Sequence, residues 1–212
     1  MFKLDIFNRI KAKWFKIITI KKYKYVSSKA RLSYDARVYE KDNLIMDDYT
    51  KLDFGAVIMN PKAKFIMGKH SGAAFGLSVI TGTHPIKVDR FFGTCTPEEQ
   101  AEIDAMHKLD NDVILAEEVW LGTNVTLLQG VHVGRCATVG AGSVVRTDVP
   151  PYALVVGNPA KVVGFKFTNV DEILEHEQLY PENERISEDE IRNNYKKFFI
   201  DRLKEIRQIT TI

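Results

Sequence analysis

Leu115, Leu121, Leu127, Val133, Val139 and Val145 recur every six residues without a slip. Four places after each stands a small or β-branched residue: Val119, Val125, Val131, Ala137, Ser143 and Val149. Glycine directly follows three of the aliphatic residues, at Gly122, Gly134 and Gly140. A period of six matches neither the face of a helix nor an alternating strand. It matches a short flat strand followed by a corner, repeated three times per coil, so the chain is expected to wind as a parallel β-helix. The aliphatic residue then points inward and the small one packs beside it. Glycine at those three places is expected to supply corner angles that a Cβ penalises.

A weaker form of the repeat begins at Leu32. Leu32, Val38 and Leu44 keep the spacing, Leu52 and Ile58 resume it after a shift, and Met67, Ala73 and Val79 take it up again. Terminal repeats are irregular where they cap a stack. Residues 85–112 then interrupt the pattern, and an insertion of that length inside a compact unit is usually functional or disordered. This one has internal order. Thr96-Pro97-Glu98-Glu99 reads as a capping box with Pro at the first helical position, so a helix to about Met106 is expected. Beyond Val155-Val156-Gly157-Asn158-Pro159-Ala160-Lys161 two helical stretches follow. Asn169 caps one that stops before Pro181, and Ser187-Glu188-Asp189-Glu190 opens another that runs to about Ile206. Ile191, Tyr195, Phe198, Phe199, Leu203 and Ile206 form an apolar stripe on it, a surface for core or subunit contact. The organisation expected is a basic segment 1–31, a β-helix domain 32–167 with the 85–112 loop inserted, and C-terminal helices 168–212.

The net charge of +2 conceals an asymmetry. Residues 1–31 carry ten Lys or Arg against one Asp, a net of +9, which leaves −7 for the rest. The body therefore has no broad basic surface, and nucleic acid is not expected as a partner. Within residues 1–25, Phe7, Ile10, Trp14, Ile17 and Ile18 fall at helical spacing among lysines. Two readings stay open: a helix docked on its own protein, or peripheral contact with an anionic membrane. No apolar run is long enough to span a bilayer, no secretory signal is legible, and Cys95 and Cys136 form neither a disulfide framework nor a metal-ligand spacing. A cytoplasmic protein without a metal is the expectation, with the inner membrane face as its place if the N-terminus binds lipid.

Three local motifs carry a resemblance: Thr81-Gly82-Thr83-His84-Pro85; Val119-Trp120-Leu121-Gly122; and Gly140-Ala141-Gly142-Ser143-Val144-Val145 followed by Pro150-Pro151 and Gly157-Asn158-Pro159-Ala160-Lys161. Together they resemble the hexapeptide-repeat acyltransferases. Over residues 32–165 they are nearest to the branch of maltose, galactoside, xenobiotic and surface-polysaccharide O-acetyltransferases. The resemblance implies a left-handed coil, a homotrimer and acetyl-CoA as co-substrate. It also implies a sugar or glycan hydroxyl as acceptor. His84 holds the position of the general base, a task suited to histidine because its pKa lies near working pH. Backbone amides of a neighbouring coil would stabilise the oxyanion. By correspondence Trp120 lies near the cleft, Thr123 and Ala141 line the pantetheine channel, and Arg146 and Lys161 meet the coenzyme's phosphates.

Two departures from that branch stand out. Several relatives carry a Lys one place after Arg146, where this chain has Thr147. An acceptor-contacting Asn is replaced in the stretch Phe54-Gly55-Ala56. With the longer loop before Trp120, the second departure points to a different acceptor, which leaves N-acetylation of an amino-sugar nucleotide or antibiotic as the alternative. Asp89, Asp110 and Glu117 are candidates to orient His84. His70 and His132 are expected at the surface, His107 in the loop, and His176 on a charged helix. A zinc enzyme of the γ-carbonic anhydrase type needs three converging histidines, and His70, His84 and His107 lack the close pair it uses. A sugar-nucleotide pyrophosphorylase needs a preceding nucleotide-binding domain, which residues 1–31 cannot form. A non-enzymatic β-helix scaffold is the rival from another class.

Overall fold

A computed structural model describes residues 20–91, 93–167 and 169–210. The N-terminal stripe from Phe7 to Ile18 lies outside the described residues. Ile20 and Tyr23, just beyond it, pack against the base of the coil.

The chain winds around three faces in strict rotation. Face one stacks Arg31–Leu32, Lys51–Leu52, Gly72–Ala73, Trp120–Leu121, Thr138–Val139 and Ala153–Val156 in parallel. Face two stacks Arg37–Val38, Val57–Met59, Ser78–Ile80, Thr126–Leu127 and Val144–Val145. Face three stacks Leu44–Met46, Phe65–Met67, Val113–Leu115 and His132–Val133. Single bridges lengthen face three at both ends, Val26 to Met46 and Val149 to Val133. Parallel pairing on all three faces makes this a parallel β-helix. It ends in a feature the repeat does not foretell: Lys161–Phe165 turns back antiparallel on Ala153–Val156 and closes the edge of face one.

The six aliphatic residues of the regular repeat, from Leu115 to Val145, are at most 1% exposed, and Val119, Val125, Val131, Ala137 and Ser143 are buried beside them. Register shows where the weak half of the repeat carries its slack. In the regular half, coil partners are 18 residues apart, as in Trp120↔Thr138 and Thr126↔Val144. In the first half they are 20 or 21 apart, as in Arg31↔Lys51 and Leu44↔Phe65. The extra residues sit at corners. One such corner is knitted by Asn60, which is fully buried, donates to the carbonyl of Glu40 and accepts from its N–H, while Asn43 donates to the carbonyl of Asn60.

The role expected for the glycines is corrected by the backbone. Where a corner has a left-handed residue, it is the third after the inward aliphatic one, as at Gly55, Gly76, Asn124 and Gly142 on the edge from face one to face two. Gly122, Gly134 and Gly140 do not have left-handed angles. They are small because the next coil passes over them. A Cβ on Gly122 would lie 2.7 Å from the backbone N of Ala141, and one on Gly134 would lie 2.5 Å from that of Pro151.

Helix α1 (Pro97–His107) has the expected capping box: Thr96 accepts from the Glu99 N–H and the Glu99 carboxylate accepts from the Thr96 N–H. After the coil come α2 (Val170–Glu177), capped by Asn169, and α3 (Glu188–Phe198), capped by Ser187. The single helix expected to Ile206 is broken. Phe199 leaves helical angles (φ −123°, ψ −65°), a 3₁₀ turn follows, and α4 (Leu203–Thr210) starts afresh. The run Phe198-Phe199-Ile200 cannot all face one stripe. The break sends Phe198 against the coil core and Phe199 against Phe165 and Tyr195.

Candidate active site

His84 stands where the chain leaves face two, at the mouth of the inserted loop, and is exposed. The two ends of the loop form a neck. Gly82 bridges Asp110 antiparallel, the Thr83 N–H donates to the Leu109 carbonyl at 3.2 Å, and the Asn111 N–H donates to Thr81 at 2.8 Å. The Asp110 carboxylate lies so close over Gly82 that a Cβ there would meet its Oδ1 at 1.9 Å. Of the three acids proposed to orient His84, Asp110 is thus the one at its base. Asp89 is engaged by Arg90 and Glu117 by Arg135. The side chain of His107, at the end of α1, lies outside the described set.

The loop is braced internally and to the coil. Glu99 pairs with Lys87 at 3.1 Å and Arg90 at 2.7 Å, and the Thr96 N–H, followed by these cations, holds its carboxyl below the usual range. Lys62 pairs with Asp104 on α1 and with Asp110 at 3.6 Å. Ile86, Val88, Phe91 and Met106 project from the loop largely exposed.

The edge between faces one and two carries a second group of expected residues. Thr123 and Ala141 are exposed at the corners of consecutive coils, tied by the Gly142 N–H donating to the Thr123 carbonyl at 2.8 Å. Lower on the same edge stand three exposed aromatics, Tyr34, Phe54 and Phe75, with Tyr34 and Phe54 edge to face at 5.8 Å. Arg146 directly follows the Val144–Val145 strand, on the edge from which the His84 loop leaves. Lys161 faces a cleft lined also by Thr147, Asp148, Phe198 and Arg202. Its charge and that of Arg202 converge on Glu205, at 3.7 Å and 2.9 Å. Trp120 is placed apart from these: it lies on face one, 44% exposed, with its ring against Gly72. The structure therefore assembles Thr123 with Ala141, sets His84 and Arg146 on the next edge, and leaves Trp120 on another face. His70 and His132 are exposed as expected, with His70 stacked on Tyr49 at 5.1 Å.

A polar cluster under the C-terminal helices was not foreseen. Arg135, buried, reaches the Glu177 carboxylate at 3.1 Å and the Glu184 carbonyl at 3.0 Å. Burial opposes its charge, yet Glu177 and Glu117 outweigh that and hold its pKa above the usual value. The Tyr152 hydroxyl donates to Glu177 at 2.6 Å, and burial together with that carboxylate raises its pKa. Cys136 is buried and its thiol is pushed up to about 11 by desolvation, so it is a poor nucleophile. His176 lies on the charged helix α2, as expected, with its ring packed among Tyr152, Phe167 and Tyr180. The legible signal was the third-after-aliphatic position. It places Glu118, Cys136 and Tyr152 at the corners of one edge, all with left-handed angles.

No family model matches the chain. It is 33% identical over 124 residues to a chloramphenicol acetyltransferase of Klebsiella aerogenes, covering 58% of this chain and 55% of the relative. It is 35% identical over 106 residues to a probable macrolide acetyltransferase of Lysinibacillus sphaericus, covering 50% and 54%. The chain thus spans about half the length of the curated relatives it matches. Its fold is shared with a hexapeptide-repeat acetyltransferase of Vibrio cholerae O1 biovar eltor, solved in complex with acetyl-coenzyme A. The TM-score is 0.60 at 23% identity, over 77% of this chain and 79% of the other. In sequence and in fold, the chain resembles the hexapeptide-repeat acetyltransferases.

Proposed function

We propose that the protein moves an acetyl group from acetyl-CoA to a hydroxyl of a sugar or surface-polysaccharide precursor, with His84 as general base. One observation supports the reading: the residues expected to act lie on the two edges that border face two. One edge has the exposed His84, and the other has the small corners Thr123 and Ala141. Small corner residues leave backbone amides open to a pantetheine arm, so the residues present fit the coenzyme. Lys161 and Arg146 supply cations for its phosphates. The coenzyme supplies the acetyl thioester. His84 accepts the proton of the acceptor hydroxyl as that oxygen bonds to the acetyl carbon, and returns it to the departing thiolate. Tyr34, Phe54 and Phe75, lower on the coenzyme edge itself, offer flat apolar surface to an acceptor.

The coil is read as left-handed, the hand of the family, an exception to the right-handed crossover rule. A single flat face makes a shallow site. The reading therefore includes a homotrimer, in which cyclic symmetry gives each site a second wall and covers the apolar tip of the loop. A second acceptor class has its own support. The relatives similar over half the chain are acetyltransferases named for chloramphenicol and macrolides. An antibiotic, acetylated on a hydroxyl or an amine, is accordingly the alternative acceptor.

The test follows free thiol release from acetyl-CoA over sugars, sugar nucleotides, oligosaccharides and antibiotics. His84→Ala should lower kcat by roughly 10²–10⁴-fold with coenzyme A binding retained. Near-normal turnover in a folded variant refutes the base. Thiol release with amines alone refutes O-acetylation, and a fully active monomer on sedimentation refutes the trimer.

A further inference from the structure

Where α2 crosses the edge between faces three and one, four side chains meet whose chemistry packing does not require. Glu118 and Cys136 hold the left-handed corner of successive coils, with φ of 58° and 59°. A residue with a Cβ costs about 1–2 kcal/mol there. On the neighbouring edge the same corner is filled by Gly55, Gly76, Asn124 and Gly142, whereas along this edge Tyr49, His70 and Tyr152 hold it too. Cys136 Sγ lies 3.6 Å from Glu118 Oε2, 3.8 Å from His176 Nδ1 and 3.7 Å from Tyr180 Oη. His176 Nε2 lies 3.7 Å from the same Glu118 oxygen. One donor atom from each of Glu118, Cys136 and His176 falls within 4.8 Å of the other two. Ligands at zinc bond lengths of about 2.0–2.3 Å subtend tetrahedral edges of roughly 3.3–3.8 Å, a range that holds the Cys136–Glu118 and His176 Nε2–Glu118 separations of 3.6 and 3.7 Å.

The hydrogen bonds fix which imidazole nitrogen is open. Tyr152 Oη donates to Glu177 at 2.6 Å, so its oxygen accepts from His176 Nδ1–H at 3.1 Å. The Nε2 lone pair then faces the Glu118 carboxylate, acceptor against acceptor. Something positive belongs between them. A proton would join His176 to Glu118 and leave the sulfur in contacts too long for more than a weak bond. A metal ion engages all three.

We propose that Glu118, Cys136 and His176 form a site for a zinc-class divalent ion, with Tyr180 Oη beside it, that fastens the C-terminal helices to the coil. Thiolate, imidazole and a single carboxylate suit zinc or cobalt, whereas magnesium and calcium favour oxygen cages. Binding releases the Cys136 proton to solvent, and the thiolate and carboxylate balance the ion's two charges. The Tyr152–Glu177 pair orients the histidine from behind, as outer-sphere groups do in metal sites.

The full-length protein is stripped with a chelator and titrated with Zn²⁺ and Co²⁺. The expected result is one ion per chain, a thiolate-to-cobalt charge-transfer absorption, and a higher Tm with zinc. Cys136→Ser should abolish the absorption, Cys95→Ser should keep it, and Tyr152→Phe should weaken zinc binding by about 10–100-fold. If Cys136→Ser does not fold, Glu118→Gln reads the same loss on a half-buried group. No cobalt absorption in the wild type overturns the proposal and leaves a protonated His176–Glu118 pair. Absorption that survives Cys136→Ser or Glu118→Gln, or that vanishes with Cys95→Ser, overturns it equally.

Discussion

Inside the coil, Leu121 stacks between Ala73 and Val139, and aliphatic meets small aliphatic through each turn. Under the C-terminal helices, Arg135, Glu177, Tyr152 and His176 meet instead, and no residue there repeats the one before. The interior is non-directional: burial of apolar area holds it, and any aliphatic of similar size serves. The seam is directional. Each buried polar group depends on a specific partner, and losing one strands the other. The coil is thus tolerant and redundant, whereas the attachment of its helical cap is specific and has few substitutes.

The sharpest way to break that contrast is Glu177→Ala. Arg135, the Tyr152 hydroxyl and the Ile186 N–H all lose a partner. Arg135 keeps Glu117 and the Glu184 carbonyl, but three groups lose Glu177 together, and the expected loss is about 3–5 kcal/mol, the range for removing one partner of a buried ion pair. Urea unfolding at fixed protein concentration measures it, and a loss under 1 kcal/mol means the seam is wetter and weaker than it looks. Leu121→Ala probes the other region. The side chain is fully buried, and about 2–5 kcal/mol is expected, while Leu121→Met should cost less than about 1.5 kcal/mol. Equal damage from the two substitutions would show that the interior is as particular as the seam.

Smaller effects separate the two kinds of glycine. Gly134→Ala drives a Cβ into the Pro151 backbone, which should cost about 1–3 kcal/mol as overpacking does, with no relief from asparagine. Gly142 has open space around it and φ +70°, so alanine there costs about 1–2 kcal/mol of backbone strain. Asparagine, which tolerates left-handed angles and stands at the matching corner as Asn124, should recover most of it. Rescue by asparagine at Gly134 as well would return both positions to the conformational reading.

Much of the coil was legible because its physics is periodic. An inward residue every six places states both the strand and the corner, and Leu115 to Val145 are buried as the spacing requires. The capping box at Thr96 was legible because a cap is local: four consecutive residues contain both bonds. The glycines misled for a related reason. Their spacing is visible in the chain, but the cause is a neighbour 16 to 19 residues away passing overhead. The helix break at Phe199 was hidden as well, since the packing of Phe165 that draws Phe199 away comes from the last strand. At the candidate site, His84 stood out by its motif. The Asp110 carboxylate over Gly82 emerges only once the loop closes on itself.

By itself, then, the sequence determined the three-sided coil, its inward residues, the place of the inserted loop and the caps of its helices. Each of these is dictated by neighbours within about one repeat. The tertiary structure alone decided that His84 and Thr123 occupy the two edges of one face. It alone gathered Glu118, Cys136, His176 and Tyr180 around a common point. Linear spacing reveals a ligand set only when one turn or helix supplies it. Here two coils and a helix supply it, and only their stacking brings the atoms within reach.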